Sequence, residues 1–167
     1  MITLPPIDEL NALDTADLAG TLGHVFETNP PLLERLARRR PFRSYADILA
    51  AARDIVSAMP DHERVAILAS HPRIGARGPA SEASRREQGA TASAEVEREL
   101  ARLQDEYEGR HGFRFVAFVA GRPRERILEM LRGRVANARD VELATGIAEY
   151  LAICADRAGV RQRSGAP

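Results

Sequence analysis

Apolar residues recur at intervals of three and four along almost the whole chain, and that spacing commits it to amphipathic helix. Leu18, Leu22, Val25 and Phe26 stripe residues 14–27, with Asp14 or Thr15 placed to cap the start. The prolines after Asn29 mark a boundary, and Leu32, Leu33 and Leu36 open a short helix that runs into Arg38, Arg39 and Arg40. Ser44, with Asp47 three residues on, begins another, striped by Ile48, Leu49, Ala52, Ile55, Val56 and Met59. Asp61 can cap the next, which carries Val65, Ile67 and Leu68 and delivers His71 at its C-terminal end, just before Pro72.

Periodicity then fails from 73 to 90, where Gly75, Gly78, Pro79 and Gly89 indicate a loop with room for one short helix. Thr91 or Ser93 opens a long helix in which Val96, Leu100, Leu103 and Tyr107 share a face, ended by Gly109 and Gly112. Residues 113–120 are the most apolar and aromatic stretch. A lone strand there would have nothing to pair with, so the expectation is an extended lead-in turning into a buried helical segment. Ile127, Leu128 and Leu131 stripe a helix over 124–135. A last helix from Arg139 or Asp140 to about Ala158 buries Val141, Ile147, Leu151 and Cys154 and stops at Gly159. The sum is an all-α, single-domain bundle of about seven to nine helices over 1–167, with 160–167 as a frayed tail.

Composition narrows the function. The 24 basic residues offset 24 acidic ones, which removes the general electrostatic case for nucleic acid or an anionic membrane as partner. Without an apolar run long enough to span a bilayer, or a leader-like N-terminus, the expected compartment is the cytoplasm. Every basic residue is Arg, so a Schiff-base lysine and a P-loop are both closed to this chain. The Arg38–Arg40 cluster reads as a solvated helix C-terminus, where cations meet the macrodipole favourably. The single cysteine, Cys154, sits in an apolar run and reads as core.

Four histidines remain as candidates for chemistry. His24 lies mid-helix without the partner that an HExxH zinc face needs, His62 falls in a polar first turn, and His111 sits at a helix break. His71 differs in its company. Pro72 restricts the local backbone, Gly75 lets the chain turn away, and the non-helical segment beyond brings Glu87 and Gln88. An imidazole oriented by a carboxylate is a general acid or base, while a His-Pro pair on its own reads equally as a helix stop.

Taken together, three stretches resemble the 2-oxo-4-hydroxy-4-carboxy-5-ureidoimidazoline (OHCU) decarboxylase family. They are His71-Pro72-Arg73-Ile74-Gly75, then Ser84-Arg85-Arg86-Glu87-Gln88, then Tyr107 leading to Gly112-Phe113-Arg114-Phe115-Val116. Supporting matches reach outward to Gly23, Phe26, Glu27 and Pro30, and to Arg134, Asn137, Glu142, Glu149 and Arg157. The chain departs from the family's pattern in a shorter, Gly-rich connection between His71 and Ser84, in Leu32 where a Trp is usual, and in His111 where a Phe is common.

The resemblance implies a carboxy-lyase of urate breakdown that forms (S)-allantoin without a metal or other cofactor, because the substrate carries its own electron sink. It implies His71 and Glu87 as the catalytic acid-base pair. Pro72, Ser84, Arg85, Arg86, Glu87, Gln88, Phe115, Val116, Ala117, Phe118 and Val119 would form the substrate site. The partner is then a small molecule, with a homodimer as the carried-over assembly. Two other classes compete: a non-catalytic helical binding or regulatory domain, which would show a large exposed apolar or basic surface, and a metal-dependent hydrolase, which metal analysis would reveal.

Overall fold

The computed structural model describes residues 4–27, 29–75 and 93–160. These form eight helices and, among the described residues, no strand. In chain order they are α1 (Ile7–Ala12), α2 (Thr15–Phe26), α3 (Pro30–Ala37), α4 (Tyr45–Ala58), α5 (Asp61–Ser70), α6 (Ala94–His111), α7 (Arg124–Arg134) and α8 (Arg139–Arg157). The all-α expectation is met. The chain divides into two compact units, residues 1–66 with 151–167, and residues 67–150.

In the first unit the helix starts follow the cap chemistry of the sequence. The Asp14 carboxylate accepts Asp17 N–H at 2.9 Å, and Ser44 Oγ accepts Asp47 N–H at 3.1 Å. Asp47 turns back to the N–H of Arg43 rather than that of Ser44, so the capping box is displaced by one residue. The two prolines stand at the expected boundary and open α3, with Asn29 as the cap accepting Leu32 N–H at 3.1 Å, since the first helical positions need no N–H donor. Asp61 is likewise the first residue of α5 rather than its cap, and its carboxylate pairs with Arg64.

Long-range polar contacts then tie the loops to these helices. The Asn11 amide takes both main-chain groups of Phe42, donating to its C=O at 2.8 Å and accepting its N–H at 2.9 Å. Arg35 on α3 forms a two-pronged pair with Glu63 on α5. Arg38 and Arg39 are exposed at the end of α3, as expected of a solvated C-terminus, whereas Arg40 is half-buried and donates to Ala37 C=O at 3.1 Å and to Leu13 C=O at 2.6 Å. Cys154 is buried.

The second unit holds His71, α6, α7 and the segment 113–119. Ser93 caps α6, which buries Leu100, Leu103, Gln104, Tyr107 and His111 and ends at Gly112 in the left-handed region, φ 76°. Gly109 lies within the helix. On α8 the apolar stripe was expected to include Val141, but Val141 is 50% exposed. Glu142 takes the inward position instead, at 0% exposure, beside Leu143. Leu151, in the first unit, is only partly covered.

The largest departure is at 113–119. The expected second half of that segment, a buried helix, does not form: residues 114–119 are irregular, and the chain turns through Ala120 (φ 46°) and Gly121 (φ 73°) before α7 begins. Phe113, Phe115, Val116, Ala117 and Val119 are nevertheless buried. Burial without helix is tolerable because distant side chains satisfy part of the backbone: Arg134 donates to Val116 C=O and Glu149 accepts Phe118 N–H.

Candidate active site

His71 follows the last turn of α5, its N–H donating to Leu68 C=O at 3.2 Å, and it is 7% exposed. A histidine this buried at the end of a helix must be held by something beyond the helix. The main chain around it is gripped by α6 and by the irregular segment. Arg114 donates from its guanidinium to His71 C=O. The buried amide of Gln104 takes both main-chain groups of Ile74, accepting N–H at 3.2 Å and donating to C=O at 3.0 Å. Arg73 reaches along α6 to Asp105 at 2.8 Å and Glu108 at 3.2 Å.

Gly75 completes the loop where only glycine fits. Its φ is +79°, and a Cβ added there would stand 2.8 Å from a Glu97 carboxylate oxygen. Glu97 in turn pairs with Arg124 at 3.1 Å, which limits how far it can withdraw. Gly75→Ala is expected to cost about 1–2 kcal/mol in urea denaturation, from the left-handed backbone and the contact together. A loss below about 0.3 kcal/mol would show that the loop adapts freely.

A buried polar cluster supports the third stretch. Glu142 accepts from Tyr107 Oη at 2.6 Å, Arg134 Nε at 2.8 Å and Asn137 Nδ2 at 2.8 Å. Arg134 continues from Nη1 to Val116 C=O at 3.0 Å, and its guanidinium lies 4.7 Å from the Phe115 ring centroid. Burial pushes the Tyr107 phenol well above its ordinary range, reinforced by the bond to Glu142. For Glu142, burial works to raise the carboxyl, but the hydrogen bonds from Tyr107 and Asn137 and the Arg134 charge outweigh it, leaving the group below its usual value.

Of the residues expected to form the site, His71, Pro72, Phe115, Val116, Ala117, Phe118 and Val119 lie in the second unit, and the Arg114 side chain joins the His71 loop to the 113–119 segment. Ser84, Arg85, Arg86, Glu87 and Gln88 lie outside the described residues. His24 and His62 are exposed. His111 is core: 1% exposed, 4.3 Å from the Tyr107 ring and within 3.2 Å of Val135 C=O. Arg157 and Glu27, both in the first unit, form an ion pair at 2.7 Å. Among the described residues no group of three or more His, Cys, Asp or Glu is placed to hold a metal ion, and no helix is long and apolar enough to cross a membrane. Sequence reading missed the holding role of Arg114 and Gln104. The one available signal was a polar residue falling on the buried face of α6, at Gln104.

The chain is similar to known proteins over most of its length. The chain is 32% identical over 151 residues to the uric acid degradation bifunctional protein PucL of Bacillus subtilis, covering 88% of this chain and 31% of that protein. It is 28% identical over 150 residues to the 2-oxo-4-hydroxy-4-carboxy-5-ureidoimidazoline decarboxylase of Haloferax volcanii, covering 86% and 88%. The chain therefore spans less than a third of the length of the bifunctional relative and most of the length of the shorter one. In fold it matches a crystal structure of OHCU decarboxylase in the presence of (S)-allantoin, with a TM-score of 0.71 at 24% identity over 82% of this chain and 94% of that one. Residues 11–159 match the family model described as OHCU decarboxylase, a span that takes in the His71 loop, the irregular segment and the Glu142 cluster, and the chain belongs to that family.

Proposed function

We propose that this chain decarboxylates 2-oxo-4-hydroxy-4-carboxy-5-ureidoimidazoline to (S)-allantoin. The observation that carries the reading is the family match across residues 11–159 with His71 in a buried, main-chain-anchored position. In the reaction the bond from ring carbon to carboxylate breaks, carbon dioxide leaves, and the electron pair flows into the adjacent carbon-nitrogen double bond. A proton delivered to one face of the ring then fixes the hand of the product. The substrate holds the electron sink, so the protein has to supply position and proton management.

His71 would handle the proton beside the scissile carboxylate, and Glu87 would orient it or hold the substrate hydroxyl. Ser84 and Gln88 suit the ring and ureido edges, with Arg85 and Arg86 alongside, and Pro72 lines the pocket. Main-chain groups from Phe115 to Val119 would close the opposite wall. A cytoplasmic homodimer acting on this small molecule completes the proposal.

The test is to add the purified chain to freshly oxidised urate and follow the product by circular dichroism. Optically active (S)-allantoin appearing faster than spontaneous decay is the expected result. Racemic allantoin at the spontaneous rate would overturn the reading. Glu87→Gln is expected to slow turnover by about tenfold or more, measured as kcat in the same assay.

A further inference from the structure

The irregular segment is gripped at two successive peptide groups by charged side chains from two helices. Arg134 on α7 donates to Val116 C=O at 3.0 Å, and Glu149 on α8 accepts Phe118 N–H at 2.6 Å. Both peptide groups are trans, and in a planar trans peptide N–H and C=O point in opposite directions. Fixing Val116 C=O therefore aims Ala117 N–H away from Arg134. Fixing Phe118 N–H aims Ala117 C=O away from Glu149.

Ala117 is 5% exposed, and among the described residues neither of its main-chain groups has a hydrogen-bond partner. Buried main-chain groups are almost always paired, so a donor and an acceptor on one residue, each turned away from the side chain that holds its peptide, are suited to a ligand of the complementary kind. An amide or ureide edge is such a ligand, carrying one N–H and one C=O.

We propose that Glu149 is a positioning residue for the reaction. It does not touch the substrate but locks the Ala117–Phe118 peptide so that the Ala117 donor and acceptor meet a ureide edge. The inference rests on the decarboxylase reading, which supplies a ureide. Glu149 differs from the Glu142 cluster in what it bonds. Its carboxylate is committed to an uncharged main-chain donor in an irregular segment, where the position of the acceptor atom matters more than the charge.

That distinction sets the experiment. Glu149→Gln keeps an acceptor oxygen at the same reach and removes the charge. Glu149→Asp keeps the charge but draws the carboxylate back by about one carbon-carbon bond, roughly 1.5 Å, too far for the bond to Phe118 N–H. The expected order is glutamine above aspartate: KM within about threefold of wild type for the first, and raised by about tenfold or more for the second with kcat less affected. The Phe118 amide proton, followed by NMR, is expected to stay downfield in the glutamine variant and to move upfield in the aspartate variant. A purely structural role would lower stability without splitting KM from kcat.

An aspartate variant with wild-type KM, or a glutamine variant as impaired as the aspartate one, would overturn the inference. If the aspartate variant does not fold, the glutamine variant decides alone: retained KM and a downfield Phe118 amide support it, and their loss overturns it. A wild-type protein that converts no substrate sinks the decarboxylase reading and this inference with it. An active wild type with an indifferent aspartate variant sinks only the role of Glu149.

Discussion

Glu142→Ala is expected to destabilise the protein by about 3–5 kcal/mol, read from urea denaturation of the purified variant. The carboxylate is fully buried and serves three donors at once, Tyr107, Arg134 and Asn137. Its removal strands the Arg134 guanidinium, whose side chain is only 10% exposed, leaves the Tyr107 hydroxyl without its acceptor, and opens a cavity. Surface pairs offer the contrast. Arg102 bridges Glu99 and Glu106 on α6 with its side chain 59% exposed, and pairs of that kind contribute about 0–1 kcal/mol. Glu142→Gln keeps the shape and some of the acceptors, so its loss is expected to be smaller but still beyond that surface range. A cost for Glu142→Ala below about 1 kcal/mol would show that the cluster is not the anchor described above.

The same cluster sets an acid limit. The Glu142 carboxyl is held below its ordinary 4.5 in the folded chain, so the folded state binds its proton less readily than the unfolded state. Its contribution is present in full above the unfolded value and is lost as pH falls through the lower folded one. Stability profiles of wild type and Glu142→Gln are therefore expected to converge as the pH drops below about 4.5. Tyr107 acts at the other end. Its phenol is raised above 10.0, so its contribution is intact below that value and declines as pH climbs toward the folded value.

The second large effect is on turnover. His71→Asn is expected to lower kcat by about 10²–10⁴ while the far-ultraviolet circular dichroism and melting remain those of a folded protein. The fold is expected to survive because two contacts that place residue 71 are main-chain ones and do not depend on the imidazole: its N–H to Leu68 C=O and its C=O to Arg114. Asparagine can fill part of the buried space, but it cannot exchange a proton near neutral pH. A folded His71→Asn protein with kcat within about threefold of wild type would remove His71 from the chemistry.

Much of the helical framework was legible because it is written locally. Ser44 caps the helix it was expected to cap, Asp14 rather than Thr15 and Ser93 rather than Thr91 cap theirs, and Gly112 and Gly159 end theirs with positive φ. Helix α1 escaped because six residues with one buried side chain, Leu10, carry no periodic signal. Val141 was expected to be buried because hydrophobicity favours the valine, whereas three donors brought from residues 107, 134 and 137 make the Glu142 carboxylate the better fit. The segment 113–119 was misread for a related reason. Its composition is that of core, but its backbone partners lie 18 and 31 residues further along the chain. In the candidate site, the position of His71 at the end of a helix followed from Pro72 and the apolar stripe before it. Its union with Glu87 rests on the family resemblance, since 84–88 lie outside the described residues.

The irregular segment has a consequence for how such a sequence can drift. Phe115, Val116, Ala117 and Val119 commit their side chains to packing, while the polar atoms facing away from Arg134 and Glu149 belong to the main chain and are the same for every residue type except proline. On the proposed reading, two selective demands, a filled interior and a hydrogen-bonding wall, are met by different atoms of the same residues. Hydrophobic exchanges in this stretch alter volume without rewriting the polar wall, and the information that aims the wall is stored in α7 and α8. A mutational scan of such a protein would find the memory of this stretch displaced from the stretch itself.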